Sequence, residues 1–242
     1  MAVECMKPAS KPSVHDPARG AGRRSARGEA ARRRLKEAAT RVLDRVGFHQ
    51  MRVKDVTDEA GVAAGLFYHY FKDLRELVDE LLDEHIAGFE AVEAIERDVS
   101  KGDWFNRLRA HYEICVRVHA EHPGIMRCIA QFSADDPDFR ERWKRSFDRR
   151  LHLLIDVFPY VFPKCSLNKA EVELLVHGLG GVGKELMSEY YIDRDPRLRA
   201  VELSQAEMAE WLAALLYRGL FARNPPAGQL RYASRILEIT RE

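Results

Sequence analysis

No apolar run in this chain approaches the roughly 20 residues that a membrane-spanning helix requires, and the opening residues hold no apolar centre that could serve a secretory leader. The expectation is a soluble, cytoplasmic protein with no membrane partner. Cysteine is scarce: Cys5, Cys115, Cys128 and Cys165 are scattered without a close-spaced framework, as suits a reducing compartment. Strand signals are missing too. Apolar and polar residues do not alternate over more than a few positions and hairpin turn chemistry is absent, so the fold class is all-α. No nucleophile and base stand in a recognisable constellation, which argues against an enzyme and against a cofactor. Net charge is almost nil, +1 from 39 basic and 38 acidic residues, so any charge-driven partner must be sought locally.

Locally the charge is uneven. The first forty residues carry ten Lys and Arg against four acids, which leaves the remainder net acidic and points to a polyanion-binding end on a neutral-to-acidic body. Residues 1–27 are rich in Pro, Gly, Ala, Ser and Arg without an apolar period, and read as a flexible basic arm. Leu35, Ala38, Ala39, Val42, Leu43 and Val46 then recur at helical spacing until Gly47, giving a first helix from about 29 to 46. Two short helical units follow, about 53–60 and 64–70, separated by Gly61-Val62-Ala63. A glycine there takes the left-handed conformation that redirects the chain, and Val62 plugs the angle between the helices. Phe67, Tyr70 and Phe71 read as core. A long amphipathic helix is expected over 74–98, then helices from Trp104, from Pro123 and from Asp136 until Pro159 and Pro163 stop the last of these. Two long helices, about 167–191 and 204–223, complete the pattern.

The stretch GFHQMRVKDVTDEAGVAAGLFYHYFKDLREL, residues 47–77, resembles the DNA-binding signature of the tetracycline-repressor (TetR) family. Gly47, Phe48, Val53, Asp55, Val56, Ala60-Gly61-Val62, Gly65, Tyr68, Tyr70, Phe71, Lys72, Asp73 and Leu77 carry the likeness. It implies an N-terminal three-helix helix-turn-helix domain, residues 28–73, and a C-terminal helical domain, 74–242, for ligand binding and dimerisation. The implied function is a ligand-responsive transcriptional regulator, a repressor that binds a palindromic operator in double-stranded DNA as a homodimer. Departures occur at Ala63, where a helix-capping Ser is common, at Leu74, where a Lys is common, and at Arg52, where a Thr is common. An absent N-cap side chain costs about 1 kcal/mol.

The second short helix enters the major groove in such a domain. The DNA-contact candidates are Arg52, Lys54, Ala64, Gly65, Leu66, Tyr68, His69 and Lys72. Ala64 and Leu66 offer apolar contact to thymine methyls, His69 a hydrogen bond, and Tyr68 and Lys72 backbone contacts. Strong base-reading side chains are few, so shape and phosphates are expected to carry much of the affinity. The dimerisation candidates are Gly178, Gly181, Met187, Trp211 and Leu215, on the last two long helices, which could equally form an ordinary intrachain core. The family resemblance also implies a sensor pocket for a small apolar or aromatic effector, with Phe89, Phe105, Leu108, Tyr112, Cys115, Met126, Phe132, Phe147 and Leu151 as candidates. The long helix from residue 74 would transmit the effector's shift to the DNA-binding unit.

Two other readings compete. His111, Cys115, His119 and His122 fall at steps of four, four and three along a helix, a spacing that permits metal coordination and a metal-responsive regulator. The segment GLGGVGK, residues 178–184, fits the first seven positions of a phosphate-binding loop in a nucleotide hydrolase. Glu185 stands where that loop needs a hydroxyl, and no parallel-sheet pattern exists to carry it.

Overall fold

The computed structural model describes residues 17–90 and 99–239, and all regular secondary structure among them is helical. The first helix, α1 (Pro17–Val46), begins well before the expected start at about 29, so part of the stretch read as a flexible arm is helix. Proline pre-sets the backbone of a first helical turn, and the Ala and Arg that follow are strong helix formers, which offsets the lack of an apolar period. Residues 1–16 lie outside the described residues. The helix buries Leu35, Ala38, Ala39, Val42 and Leu43 and stops at Gly47, whose φ of 73° lets its N–H turn back onto the Leu43 carbonyl at 3.0 Å.

Next come α2 (Val53–Ala60), α3 (Ala64–Tyr70) and α4 (Leu74–Glu90), the last described to residue 90 of the expected 74–98. The remaining helices are α5 (Trp104–Glu121), α6 (Pro123–Asp135), α7 (Pro137–Val161), α8 (Lys169–Met187), α9 (Pro196–Arg199) and α10 (Gln205–Phe221). Helix starts follow their caps. Asp136 accepts from the Asp138 and Phe139 N–H groups, and Asn168 with Glu171 and Ser204 with Glu207 form reciprocal capping boxes. Pro159 does not stop α7 as expected but lies inside it: so near the end, a missing N–H removes one backbone bond, and the helix runs to Val161. A π-helical stretch, Ser188–Asp193, prolongs α8.

Two apolar clusters organise the packing. The first joins Leu35, Val42, Val56, Phe67, Phe71, Leu77 and Leu82 from α1–α4 to Ile125, Met126, Cys128, Ile129 and Phe132 of α6 and Phe139 of α7. Residue 73, the expected domain division, therefore falls inside a continuous core. The contact of α1 with α6 is close: a Cβ on Gly124 would lie 2.4 Å from the Leu43 carbonyl carbon, and the Gly124 N–H donates to Asp44 Oδ1 at 2.8 Å. The second cluster combines Phe105, Leu108, Tyr112, Cys115 and Val116 of α5 with Met208, Leu212, Leu216, Tyr217 and Leu220 of α10. Among the described residues no helix is long and apolar enough to cross a membrane.

Candidate nucleic-acid interface

The reversal between α2 and α3 rests on Gly61, left-handed at φ 62° and ψ 45°, whose N–H donates to the Thr57 and Asp58 carbonyls. The carbonyls at the end of α2 meet a donor from α1: Arg34 gives an N–H to Ala60 O at 2.5 Å and a longer one to Gly61 O at 3.4 Å. Arg41 and Arg45 hold Glu59 at 2.7 and 3.2 Å, and the guanidinium of Arg41 is the main reason the Glu59 carboxyl sits below its ordinary pKa. On the other side of α1, Arg32 and Lys36 both reach Glu80 of α4, and Lys36 also reaches Glu84 at 2.6 Å. Helices α2 and α4 are thus tied to α1 by charge as well as by apolar packing.

Helix α3 divides its residues sharply. Phe67 and the following Phe71 are buried at 0% and 1% exposure, whereas Tyr68 between them is 63% exposed. Ala64, Gly65 and His69 are exposed as well, Leu66 is half-buried, and nothing lies within 4 Å of a Cβ built on Gly65. The face left free is small and apolar at its start and carries Tyr68 and His69 further on. Ala63 precedes it with no side-chain cap, as its methyl group dictates. At the far end the Lys72 N–H donates to Glu76 and the Glu76 N–H to Asp73, which starts α4 and leaves the Lys72 side chain exposed. Arg52 is also exposed, since Asp55 is held by its backbone N–H at 2.9 Å. Lys54 is exposed but paired with Asp58 at 2.5 Å. Of the eight candidate contacts, five fall on α3, Lys72 follows it by two residues, and Arg52 and Lys54 lie at the start of α2; three of the eight are cationic.

Sequence reasoning did not single out Arg34 or Arg75. Arg34 acts across 26 positions; the one available signal was that carbonyls at a helix end need an outside donor. Arg75, in the first turn of α4, donates to Asp79 and to Asp136 and lies over the Phe132 ring.

The sensor candidates do not form one group. Phe105, Leu108, Tyr112 and Cys115 sit together in the second cluster, but Met126 and Phe132 face the first, against the DNA-binding helices. The side chains of Phe89, Phe147 and Leu151 lie outside the described residues. On α8 and α10, Gly178, Gly181 and Leu215 are exposed and Trp211 is half-buried, while Met187 is buried in the chain's own second cluster. The exposed set extends to Leu174 and Val182.

Neither competing reading finds its geometry among the described residues. Residues 178–184 are helical within α8, so their N–H groups are spent on the helix and cannot cradle a phosphate. His111 comes within 3.6 Å of Cys115, but His119 turns to the Cys115 carbonyl at 2.7 Å and His122 packs edge-on to His85. Among the described residues no three His, Cys, Asp or Glu side chains are gathered as a metal site would need.

Three helices closed around one core, with a left-handed glycine turn before a short helix that presents an open face, define a helix-turn-helix DNA-binding domain. Residues 35–81 match the family model for bacterial regulatory proteins of the tetR family, so that the N-terminal domain of this chain is similar to the domain of that family. Over 129 residues it is 30% identical to the HTH-type transcriptional regulator EthR of Mycolicibacterium smegmatis, a match covering 50% of this chain and 57% of that protein. It is 27% identical over 161 residues to the HTH-type transcriptional regulator BetI of Vibrio campbellii, covering 64% of this chain and 77% of that one. The structure is similar to that of the fatty acid degradation regulator FadR from Bacillus halodurans, with a TM-score of 0.60 at 17% identity over 81% of this chain and 97% of that chain. It also resembles FadR from Bacillus subtilis in complex with stearoyl-CoA, with a TM-score of 0.59 at 18% identity over 77% and 97%. At such identities the structural likeness concerns the fold.

Proposed function

We propose that the protein is a transcriptional repressor that binds a palindromic operator as a homodimer and releases it when a small effector enters the C-terminal domain. The observation that carries the reading is the split on α3. The apolar side chains of Phe67 and Phe71 are spent on the core, while Ala64, Gly65, Tyr68 and His69 are left to a partner. Arg52 and Lys72, both exposed, are assigned as phosphate ligands, and Lys54 joins them by exchanging Asp58 for a phosphate. Residues 28–73 are the reading head and 74–242 the regulatory and dimerisation part.

Two binding heads have to be joined to read a palindrome. The surface suited to a second copy is the exposed face of α8 and α10, where Leu174 is 76%, Val182 55% and Leu215 40% exposed and Gly178 and Gly181 allow close helix approach. Ligand responsiveness is supported by the bound stearoyl-CoA of the B. subtilis neighbour, and here the effector site is assigned to the α5–α10 cluster around Phe105, Leu108, Tyr112 and Cys115. The effector is read as apolar or aromatic. Retention of genomic fragments on the purified protein at two salt concentrations, followed by sequencing, tests the reading. Enrichment of a palindrome at both salts supports it; sequence-independent retention that vanishes at the higher salt contradicts it.

A further inference from the structure

The chain after α10 folds back along that helix and is fastened to it by polar contacts that the proposed function does not use. Glu210 of α10 is 1% exposed, and its Oε1 accepts three consecutive backbone N–H groups, from Arg231, Tyr232 and Ala233, at 2.8, 2.6 and 2.8 Å. Arg218, two turns further on, donates to the Ile236 and Ile239 carbonyls at 2.8 and 2.7 Å. The strap so held buries Ala233 and Ile236 and packs Leu230 and Leu237 on the α5–α10 cluster. Gln229 on the same strap donates to Asp103 at the start of α5, as does Asn106 at 2.7 Å.

What this seam leaves over is of one kind. Glu210 Oε2, Gln229 Oε1 and Asn106 Oδ1 are all buried acceptors without a hydrogen-bond donor. Among the described residues no Lys or Arg side chain bonds to Glu210 or Asp103; Arg218 is spent on carbonyls, and Arg109, the cation near Asp103, pairs with Glu113 at 3.6 Å. A buried carboxyl oxygen left unserved beside an apolar cluster is open to a further donor, and a positively charged donor serves it best. We infer that the effector is an apolar amine, bound as its ammonium at Glu210 Oε2 under the strap of residues 225–239, its hydrocarbon part entering the α5–α10 cluster. The inference rests on the reading of the α5–α10 cluster as the sensing site and narrows its ligand from apolar to cationic and apolar.

Calorimetric titration of the full chain near neutral pH with n-octylammonium and, separately, 1-octanol tests it without DNA. Its failure therefore leaves the DNA-binding reading standing. The ammonium is expected to bind about tenfold more tightly than the alcohol, the gain of a charge-assisted bond over a neutral one. In Glu210→Gln, which keeps an oxygen for the three strap N–H groups and puts an amide donor at the free position, that preference should fall below about twofold. Equal binding of the two probes, no binding of either, or a preference that persists in folded Glu210→Gln overturns the assignment. If Glu210→Gln loses its helical circular dichroism, the comparison on the unaltered protein decides alone.

Discussion

Arg75 lies with its guanidinium 3.8 Å above the ring of Phe132, so that the first turn of α4, just after α3, is pressed onto α6. The same side chain donates to Asp136, the N-cap of α7, at 2.6 Å, and Arg142 of α7 answers with a bond to Asp83 of α4 at 3.1 Å. Replacement by Met keeps the hydrocarbon stem and removes both the charge and the cation–π contact. Half-exposed pairs of this kind are worth little individually, so Arg75→Met should cost only about 1 kcal/mol in urea unfolding. A loss far beyond that would mean the contact is a main support of the fold rather than a coupling between its parts.

Gly124 is a more severe test of how the DNA-binding unit is docked. A methyl group there meets backbone atoms of Leu43 and Asp44 at 2.4–2.5 Å, and backbone cannot swing aside as a side chain would. Gly124→Ala should lower stability by about 1–3 kcal/mol, as overpacking of a tight site does. A midpoint unchanged in denaturant would show that α1 and α6 are further apart than described.

Stability should fall on mild acidification because of His85. Burial, with His122 and His119 nearby, holds its imidazole down to about pKa 4, against an ordinary value near 6.5. Between those two values the unfolded chain takes a proton that the folded chain refuses, so stability is full above about pH 6.5 and declines towards pH 4. The contribution at stake is on the order of 3 kcal/mol. Urea titrations at pH 7.5 and pH 5 should differ for the native chain and differ less for His85→Gln; an equal difference in both proteins would assign the acid sensitivity elsewhere.

The proposed dimer surface is tested by charge. Leu174→Glu with Val182→Glu places two carboxylates on the exposed face of α8, where they should leave the protomer folded and shift the sedimentation coefficient to that of a monomer. An undisturbed dimer would require a different interface.

The parts legible in the sequence were those where local chemistry decides. The period of Leu35, Ala38, Val42 and Leu43 gave the face of α1, and Gly61 with Val62 gave the turn, because both depend on neighbours along the chain. The start of α1 escaped notice because helix propensity, not an apolar stripe, extends it back to Pro17. Met126 and Phe132 read as pocket residues because their type says only that they are apolar; which core they enter depends on Gly124 letting α6 close on α1. The last segment carries no decisive signal of its own and forms two short 3-10 turns, Ala227–Gln229 and Ser234–Glu238, since its bonds go sideways to Glu210 and Arg218. Arg34 had no local signal at all.

The central claim, that the exposed face of α3 reads DNA, is tested most directly by measuring the affinity of the native chain, Tyr68→Ala and Lys72→Ala for a recovered palindrome and for a scrambled fragment across a range of salt. Lys72→Ala should weaken both fragments alike and reduce the salt slope by about 1, as loss of one phosphate contact does. Tyr68→Ala should weaken the palindrome by at least about tenfold without loss of stability, since its ring is 63% exposed. A palindrome bound as well by Tyr68→Ala and Lys72→Ala as by the native chain would contradict the account and move the DNA contact away from α3.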